Sequence, residues 1–435
     1  MAAVLHWFRH DLRLHDNPAL RSSLALAERD GVAWVPVWWA GERWSRVSPW
    51  GPERAGAHRQ AFLTQSLADL SRSLHQMGSA LVVLRGASRQ PLVDLARTVG
   101  AQRLVAEDIA APDEQAEVAA LQAAGLVVQT VWQSSLLDPA DLPWAPQAVP
   151  DVFTGFRQGV ERAGVRAPEP LPAPTLCPPW PSGLARPVPV ADPLALPPGA
   201  NDPRSSFPYG QPARHGGETA GLAHLAQYLA RGLPHRYKAT RNQLQGADFS
   251  SKWSPWLASG ALSSRKALAD LRAFEAEHGA NDGSGWLWFE LLWRDHFRFM
   301  HLKHGRQLYR AQGLSAPPAP RVPPHDPAAF SSWCSGDTGE PLVDAGMREL
   351  CYTGFLSNRL RQIVASHWVH GMGGDWRAGA AWFEAQLLDF DVHSNQGNWL
   401  YIAGRGTDPR GGRAFNLAHQ TQTHDPDGRY RSCWL

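Results

Sequence analysis

The stretch LLDFDVHSNQGNWLYIAGRG, residues 387–406, places two aspartates, a histidine, two asparagines, a tryptophan and a tyrosine within twenty positions. Asp389, Asp391, His393 and Asn395 alternate as cation ligands would. An EF-hand, however, needs glycine where Ser394 stands and a bidentate glutamate where Leu400 stands, so no metal is expected. Two carboxylates two residues apart could serve as an acid/base pair, yet the chain offers no G-x-S-x-G, HExxH or Walker loop to supply a nucleophile, metal or phosphate cradle. The plainest alternative is a helix end and loop in which Asp and Asn cap and turn the backbone.

Other polar segments argue against that plain reading. Tyr237, the serine cluster SSKWS (250–254), the helix bearing Glu290, Trp293 and Arg294, and the run SNRLRQ (357–362) also concentrate directional groups. Hydroxyls near a helix start and an arginine can hold phosphates, while Asp and Asn hydrogen-bond a polar ring edge and indoles pack beside it. Together they suit a large ligand with phosphate and aromatic parts. Twenty tryptophans supply stacking surfaces and electron donors.

The elements that must position these groups fall into two kinds. The runs AVLHWF, VAWVPVWW, ALVVLR, RLVA and LVVQTVW alternate with helical periodicity through residue 135, which predicts an α/β domain with a doubly wound parallel sheet. No G-x-G-x-x-G follows the first strand, which argues against an NAD enzyme. Thirteen prolines crowd residues 166–203 and exclude helix or central strand there. Beyond about residue 218 the pattern is amphipathic helix throughout, including one long run over 343–372. The expected organisation is an α/β domain over 1–135, a connector over 136–217, and an all-helical domain over 218–435.

Composition narrows the setting. Four cysteines without CxxC spacing suggest neither a disulfide scaffold nor a zinc ribbon and fit a reducing cytosol. Charge interrupts the N-terminal MAAVLHWFRHDLRLHD where a secretory core would lie, and no run approaches a membrane span, so a soluble cytoplasmic protein, expected to be a monomer, is the reading. Net charge is +2, but residues 204–310 hold 15 Lys/Arg against 8 Asp/Glu, a local excess suited to a polyanion or to a solvated helix face.

FRHDLRLHDNPAL, GADFSSKWSPWLASGALS, WLWFELLWRDHFRF, TGFLSNRLRQIVAS and DFDVHSNQGNWLYIAGRGTDPRGGRAFN together resemble the photolyase/cryptochrome flavoprotein family over nearly the whole chain except the proline-rich connector. Within it the chain is similar to the DASH-type cryptochromes, with Gln362 and Tyr401 where classical photolyases carry Met and Trp. The resemblance implies FAD, folded into a U, inside the helical domain. Tyr237, Ser250, Ser251 and Ser254 would bind its phosphates and neighbouring groups, and Arg294 would lie beside it. Asn358, Arg361, Asp389, Asp391 and Asn395 would surround the flavin and the folded adenosine, with Asn395 facing N5, where an amide serves either protonation state. Asp389 requires a buried cation, and Arg361 is at hand.

The family's repair chemistry is light-driven electron transfer from reduced FAD to a cyclobutane pyrimidine dimer, on single-stranded DNA in the DASH group. By resemblance the flipped dimer would rest against Trp293 and Tyr401, with Glu290 and Gln362 hydrogen-bonding its bases. Trp399 and Trp376 match the first two members of the family's electron-transfer chain, but the third position falls near Pro323 in RVPPHDPAAFSSW, without a tryptophan, and Trp333 aligns elsewhere. An antenna chromophore, methenyltetrahydrofolate, is a further implication. The segment AEDIAAPDE matches the antenna-contacting pattern poorly, with Ile109 at the place of the expected glutamate, and His296 replaces a common aromatic. The rival function is a blue-light photoreceptor signalling through FAD photoreduction. Such sensors often carry a long tail, and this chain stops shortly after DPDGRYRSCWL, which favours repair.

Overall fold

The computed structural model describes residues 2–435 except 42, 43, 45, 87, 316–322, 409 and 410. Five parallel strands, β1 (Ala3–Phe8), β2 (Ala33–Trp39), β3 (Val82–Leu84), β4 (Arg103–Glu107) and β5 (Val127–Val131), form one sheet in the order β3-β2-β1-β4-β5. The joining helices are α1 (Pro18–Asp30), α2 (Ala57–Gln76), α3 (Gln90–Thr98) and α4 (Pro112–Ala123). All six residues of β1 are buried, as a strand covered on both faces requires, and this explains why all of them but His6 are apolar; burial lowers the His6 pKa to about 4. Pro36 sits in β2, but β3 pairs only with Val37–Trp39, so the residue that cannot donate lies where β2 has a single neighbour.

The connector holds more than irregular chain. Its proline-dense part, 166–203, has neither helix nor strand, but α5 (Phe153–Ala163) precedes it and buries Phe153, Phe156 and Val160 in the core of the helical domain. Proline density excluded helix only where the prolines are. His296, for which the sequence suggested no role, packs its ring on Phe153 and Phe156 and pairs with the Pro150 carbonyl at 3.1 Å, fixing α5 in place.

The helical domain comprises α6 (Glu218–Ala230), α7 (Tyr237–Thr240), α8 (Ser254–Ser259), α9 (Ser264–His278), α10 (Asp282–His304), α11 (Pro327–Ser335), α12 (Pro341–Thr353), α13 (Asn358–Ser366), α14 (Trp376–Gln386), α15 (Val392–Ile402), α16 (Leu417–His424) and α17 (Arg429–Trp434). The long helical run over 343–372 is in fact two helices. Gly354, at φ 70°, ends α12 in the left-handed region, and the Ser357 hydroxyl caps α13 by accepting from the Leu360 amide at 3.3 Å. The break frees the Gly354 carbonyl to accept from Leu388 N at 2.9 Å, which anchors the start of the opening stretch. Among the described residues no helix is long and apolar enough to cross a membrane.

The two domains meet through polar contacts as well as apolar ones. Gly260 ends α8 with φ 72°, and a Cβ there would lie 1.9 Å from the His10 carbonyl, so only glycine lets the backbones approach. Arg13 donates to the Gly260 carbonyl at 2.9 Å, and Arg265 pairs with the fully buried Asp16 at 2.9 Å.

One buried acid in this domain makes stability depend on pH. Glu349 on α12 is fully buried, accepts from the Tyr430 hydroxyl, and burial pushes its pKa up to about 8. The native state therefore binds more protons than the unfolded chain between the ordinary carboxylate range and about pH 8, and stability falls as pH rises through that window. Glu349→Gln should raise the melting temperature relative to the parent at about pH 9 and change it little at about pH 5. Equal shifts at both pH values in a thermal melt would contradict this.

Candidate functional site

A cavity of about 420 Å³ opens between α10, α13, α14 and α15. It is lined by Asn358, Arg361, Asp389, Asp391, Asn395 and Trp399, and Ser254 and Arg294 also line it. Glu290, Trp293, Gln362 and Tyr401 complete this part of the lining. Twelve residues singled out from sequence thus share one space. Tyr237, Ser250, Ser251 and Trp376 do not line it.

The opening stretch is a helix start, with its carboxylates used for more than capping. Asp391 is the N-cap of α15, accepting from Ser394 N at 2.8 Å, while its other oxygen pairs with Arg298 at 2.6 Å. Burial works against this charge, but Arg298 and Arg294 overcome it and hold the carboxyl well below the usual range. Arg361 donates to the Leu356 carbonyl at 2.8 Å and pairs with Asp389 at 2.8 Å, supplying the cation that the buried Asp389 requires. Asp389 Oδ1 is buried without a hydrogen-bond partner of its own. Asn395 is turned by donating to the Ala380 carbonyl at 3.1 Å.

Arg294 donates one guanidinium nitrogen to the Ser134 carbonyl and another to the Leu257 carbonyl at 3.1 Å. Burial brings its pKa down to about 10, still charged at neutral pH. The next residue, Asp295, accepts from the Leu136 and Leu137 amides, each at 2.9 Å, so the start of the connector is clamped onto α10.

The serine segment is strained in a way sequence did not indicate. Ser250 and Lys252 have φ 59° and 58°, left-handed values rarely adopted by residues with a Cβ, and strain of this kind collects at ligand clamps. The buried Tyr237 side chain is hydrogen-bonded to Ser250, behind the cavity lining. The Ser251 carbonyl faces His224 at 2.8 Å. Lys252 Nζ is buried over the Phe249 ring with no hydrogen-bond partner, and burial drives its pKa well below the usual lysine range.

Also in the lining, Glu290 is paired with Arg241 and accepts from the Trp286 indole at 2.9 Å. Burial raises its pKa against the pull of Arg241. Arg413 donates to the Tyr401 hydroxyl with its guanidinium 4.2 Å from the ring centroid. Arg359 donates to Asn242 at 3.0 Å and to Gln362 at 3.4 Å. Sequence reasoning assigned no role to Arg241, Arg298, Arg359 or Arg413. A local signal was available for Arg298, which lies one helical turn after Arg294.

Trp399 is buried against Phe383, at 5.1 Å between centroids, and meets Trp333 edge-on at 6.2 Å. Trp376, at the start of α14, is buried and donates to the Ala311 carbonyl at 3.0 Å. Pro323 is exposed, and the preceding Arg321 and Val322 lie outside the described residues. Ile109 is buried, so that position presents no carboxylate for an antenna. Among the described residues no cluster of His, Cys, Asp and Glu could hold a metal.

The donor set fits FAD. An orphaned carboxylate oxygen and asparagine amides can bond a flavin or adenine edge, arginines offset charge, and hydroxyls lie near a helix start. Residues 286–435 match the model of the FAD-binding domain of DNA photolyase, and residues 4–175 match the DNA photolyase model. A cryptochrome DASH of Gloeobacter violaceus is 42% identical over 99% of this chain and 85% of its own length. The crystal structure of a Synechocystis cryptochrome superposes with a TM-score of 0.89 at 40% identity, covering 100% of this chain and 89% of the other. A class III photolyase from Agrobacterium tumefaciens gives 0.79 at 29% identity, covering 100% and 86%. With a flavin-type cavity at the predicted place and full-length similarity of this order, the chain belongs to the photolyase/cryptochrome family, among the cryptochrome DASH proteins, and its cofactor is FAD.

Proposed function

We propose that this protein uses light to split cyclobutane pyrimidine dimers, preferentially in single-stranded DNA. The observation that carries the reading is a single cavity whose carboxylates, asparagines and arginines suit FAD and whose lining also combines a carboxyl, an amide and two aromatic rings with Arg241 and Arg413, while Arg359 adjoins it through Gln362. The chemistry supplied by bound, reduced FAD is light-driven electron donation, with return of the electron once the dimer has opened. The chain's own groups bind and orient. Trp293 and Tyr401 provide surfaces for a flipped dimer, and Glu290 and Gln362 reach polar pyrimidine edges. Glu290, held in place by Arg241, offers a carboxyl to the hydrogen-bonding edge of a pyrimidine. Arg241, Arg359 and Arg413 suit the flanking phosphates, so binding should weaken with salt. Trp399, with Trp376 beyond it, is the proposed route for electrons to the flavin. The protein acts on DNA as a cytoplasmic monomer in this reading, with 1–135, 136–217 and 218–435 as its structural divisions.

The test is to purify the flavin-bound protein, reduce it, and illuminate it with a dimer-containing single-stranded oligonucleotide. Dimer loss above the dark control is expected, and Glu290→Ala and Trp293→Ala should each lower the repair yield at least about tenfold while retaining flavin, the loss of a single contact worth about 1.4 kcal/mol or more. Bound flavin with no dimer loss would reject repair and favour a blue-light sensor.

A further inference from the structure

A second cavity, of about 330 Å³, lies against the first. Phe289, Trp293, Phe297 and Tyr401 line both, and Met300 and Leu314 line only the second. The partition is largely aromatic. Trp293 and Tyr401 meet edge to face with centroids 6.0 Å apart, and Phe153 from α5 stacks on Trp293 at 3.8 Å and 10°. The other polar groups are Thr154, His296, His301, Thr407 and Asp408, of which Asp408 is the one carboxylate in the lining. Arg413 lines the first cavity and reaches Asp408 of the second at 3.4 Å, so its guanidinium spans the boundary.

These features specify an occupant. It must be flat and aromatic to use the rings, carry polar edges for the hydroxyl and carboxylate, and be joined through an anion at Arg413 to whatever fills the first cavity. A free aromatic molecule would satisfy the rings and leave the boundary arginine without a role. We infer that the second cavity takes the base of the nucleotide adjoining the dimer on one side of the same strand, with the linking phosphate at Arg413. The inference rests on the reading of the first cavity as a dimer pocket. Stacking on aromatic side chains accepts any base, so the site tolerates flanking sequence. In a duplex that base is paired and stacked, and must be pulled out along with the dimer. In a single strand it is already available, which gives the strand preference a physical basis.

The test is dark binding by fluorescence anisotropy, using the flavin-bound protein and labelled single-stranded oligonucleotides with one central dimer. The nucleotide on its 5′ or its 3′ side is intact or replaced by an abasic tetrahydrofuran. Removing the base on one side should weaken binding about tenfold, and removing it on the other should change it little. Met300→Trp, which fills only the second cavity, should lower affinity for the intact strand to the abasic level and leave abasic binding unchanged. Leu314→Phe provides the same measurement if Met300→Trp loses its flavin or its helical circular dichroism. Wild-type affinity unaffected by either abasic site, or a filled cavity that keeps the full preference, would overturn the inference. Equal affinity for dimer-bearing and undamaged strands, whatever the flank, would instead overturn the dimer pocket and this site with it.

Discussion

Arg361→Ala should yield a protein that folds but loses its flavin. Asp389 is fully buried, one of its oxygens has no partner, and the other depends on Arg361 at 2.8 Å. Removing the guanidinium leaves a carboxylate in a low-dielectric wall, and breaking such a pair costs about 3–5 kcal/mol. The charge can avoid that cost by taking up a proton or by admitting water into the cavity, and either changes the surface presented to FAD. The expected readout is flavin occupancy after gel filtration, lowered at least about tenfold, with Arg361→Lys recovering part of it because the cation returns without the two-pronged geometry. Parental occupancy and an unchanged flavin spectrum in the alanine variant would show that Asp389 does not depend on this cation.

Asp391→Ala should be the most destabilising single change in the site. It removes the cap of α15, worth about 1 kcal/mol, and it also leaves Arg298, 5% exposed, without its carboxylate. The stranded buried cation dominates, for a total of about 3–5 kcal/mol. Asp391→Asn separates the two effects, because the amide oxygen still accepts from Ser394 N while the charge is gone. Urea denaturation should place Asp391→Asn nearer to alanine than to the parent. If asparagine is as stable as aspartate, the charge pair contributes nothing and capping is the main role of this residue.

These expectations show which parts of the molecule were legible in the amino-acid sequence. The parallel sheet was, because strands covered on both faces read as near-continuous apolar runs, as β2 does throughout and β1 does but for His6. Most cavity residues were too, since short segments carry them on successive turns of α10, α13 and α15. The break between α12 and α13 was not, because amphipathic periodicity continues across Gly354 and only the cap at Ser357 reveals it. The helix at 153–163 was hidden by the prolines that follow it. Three further arginines were hard to find for another reason: Arg241 and Arg413 in the lining and Arg359 beside Gln362 are far apart in the chain, and no local pattern records that the fold gathers them. The left-handed backbone at Ser250 and Lys252 is likewise a demand of tertiary structure on residues that do not advertise it.

The double grip of Asp295 on the Leu136 and Leu137 amides, beside that of Arg294 on the Ser134 carbonyl, limits how this protein can be dissected. Both side chains come from one turn of α10, and both bond backbone at the junction of the sheet domain and the connector, residues 134–137. A helical half expressed alone would carry a buried carboxylate stripped of both amides and a buried guanidinium left with the Leu257 carbonyl alone, so grafting it onto a foreign sheet means transplanting residues 134–137 as part of the graft.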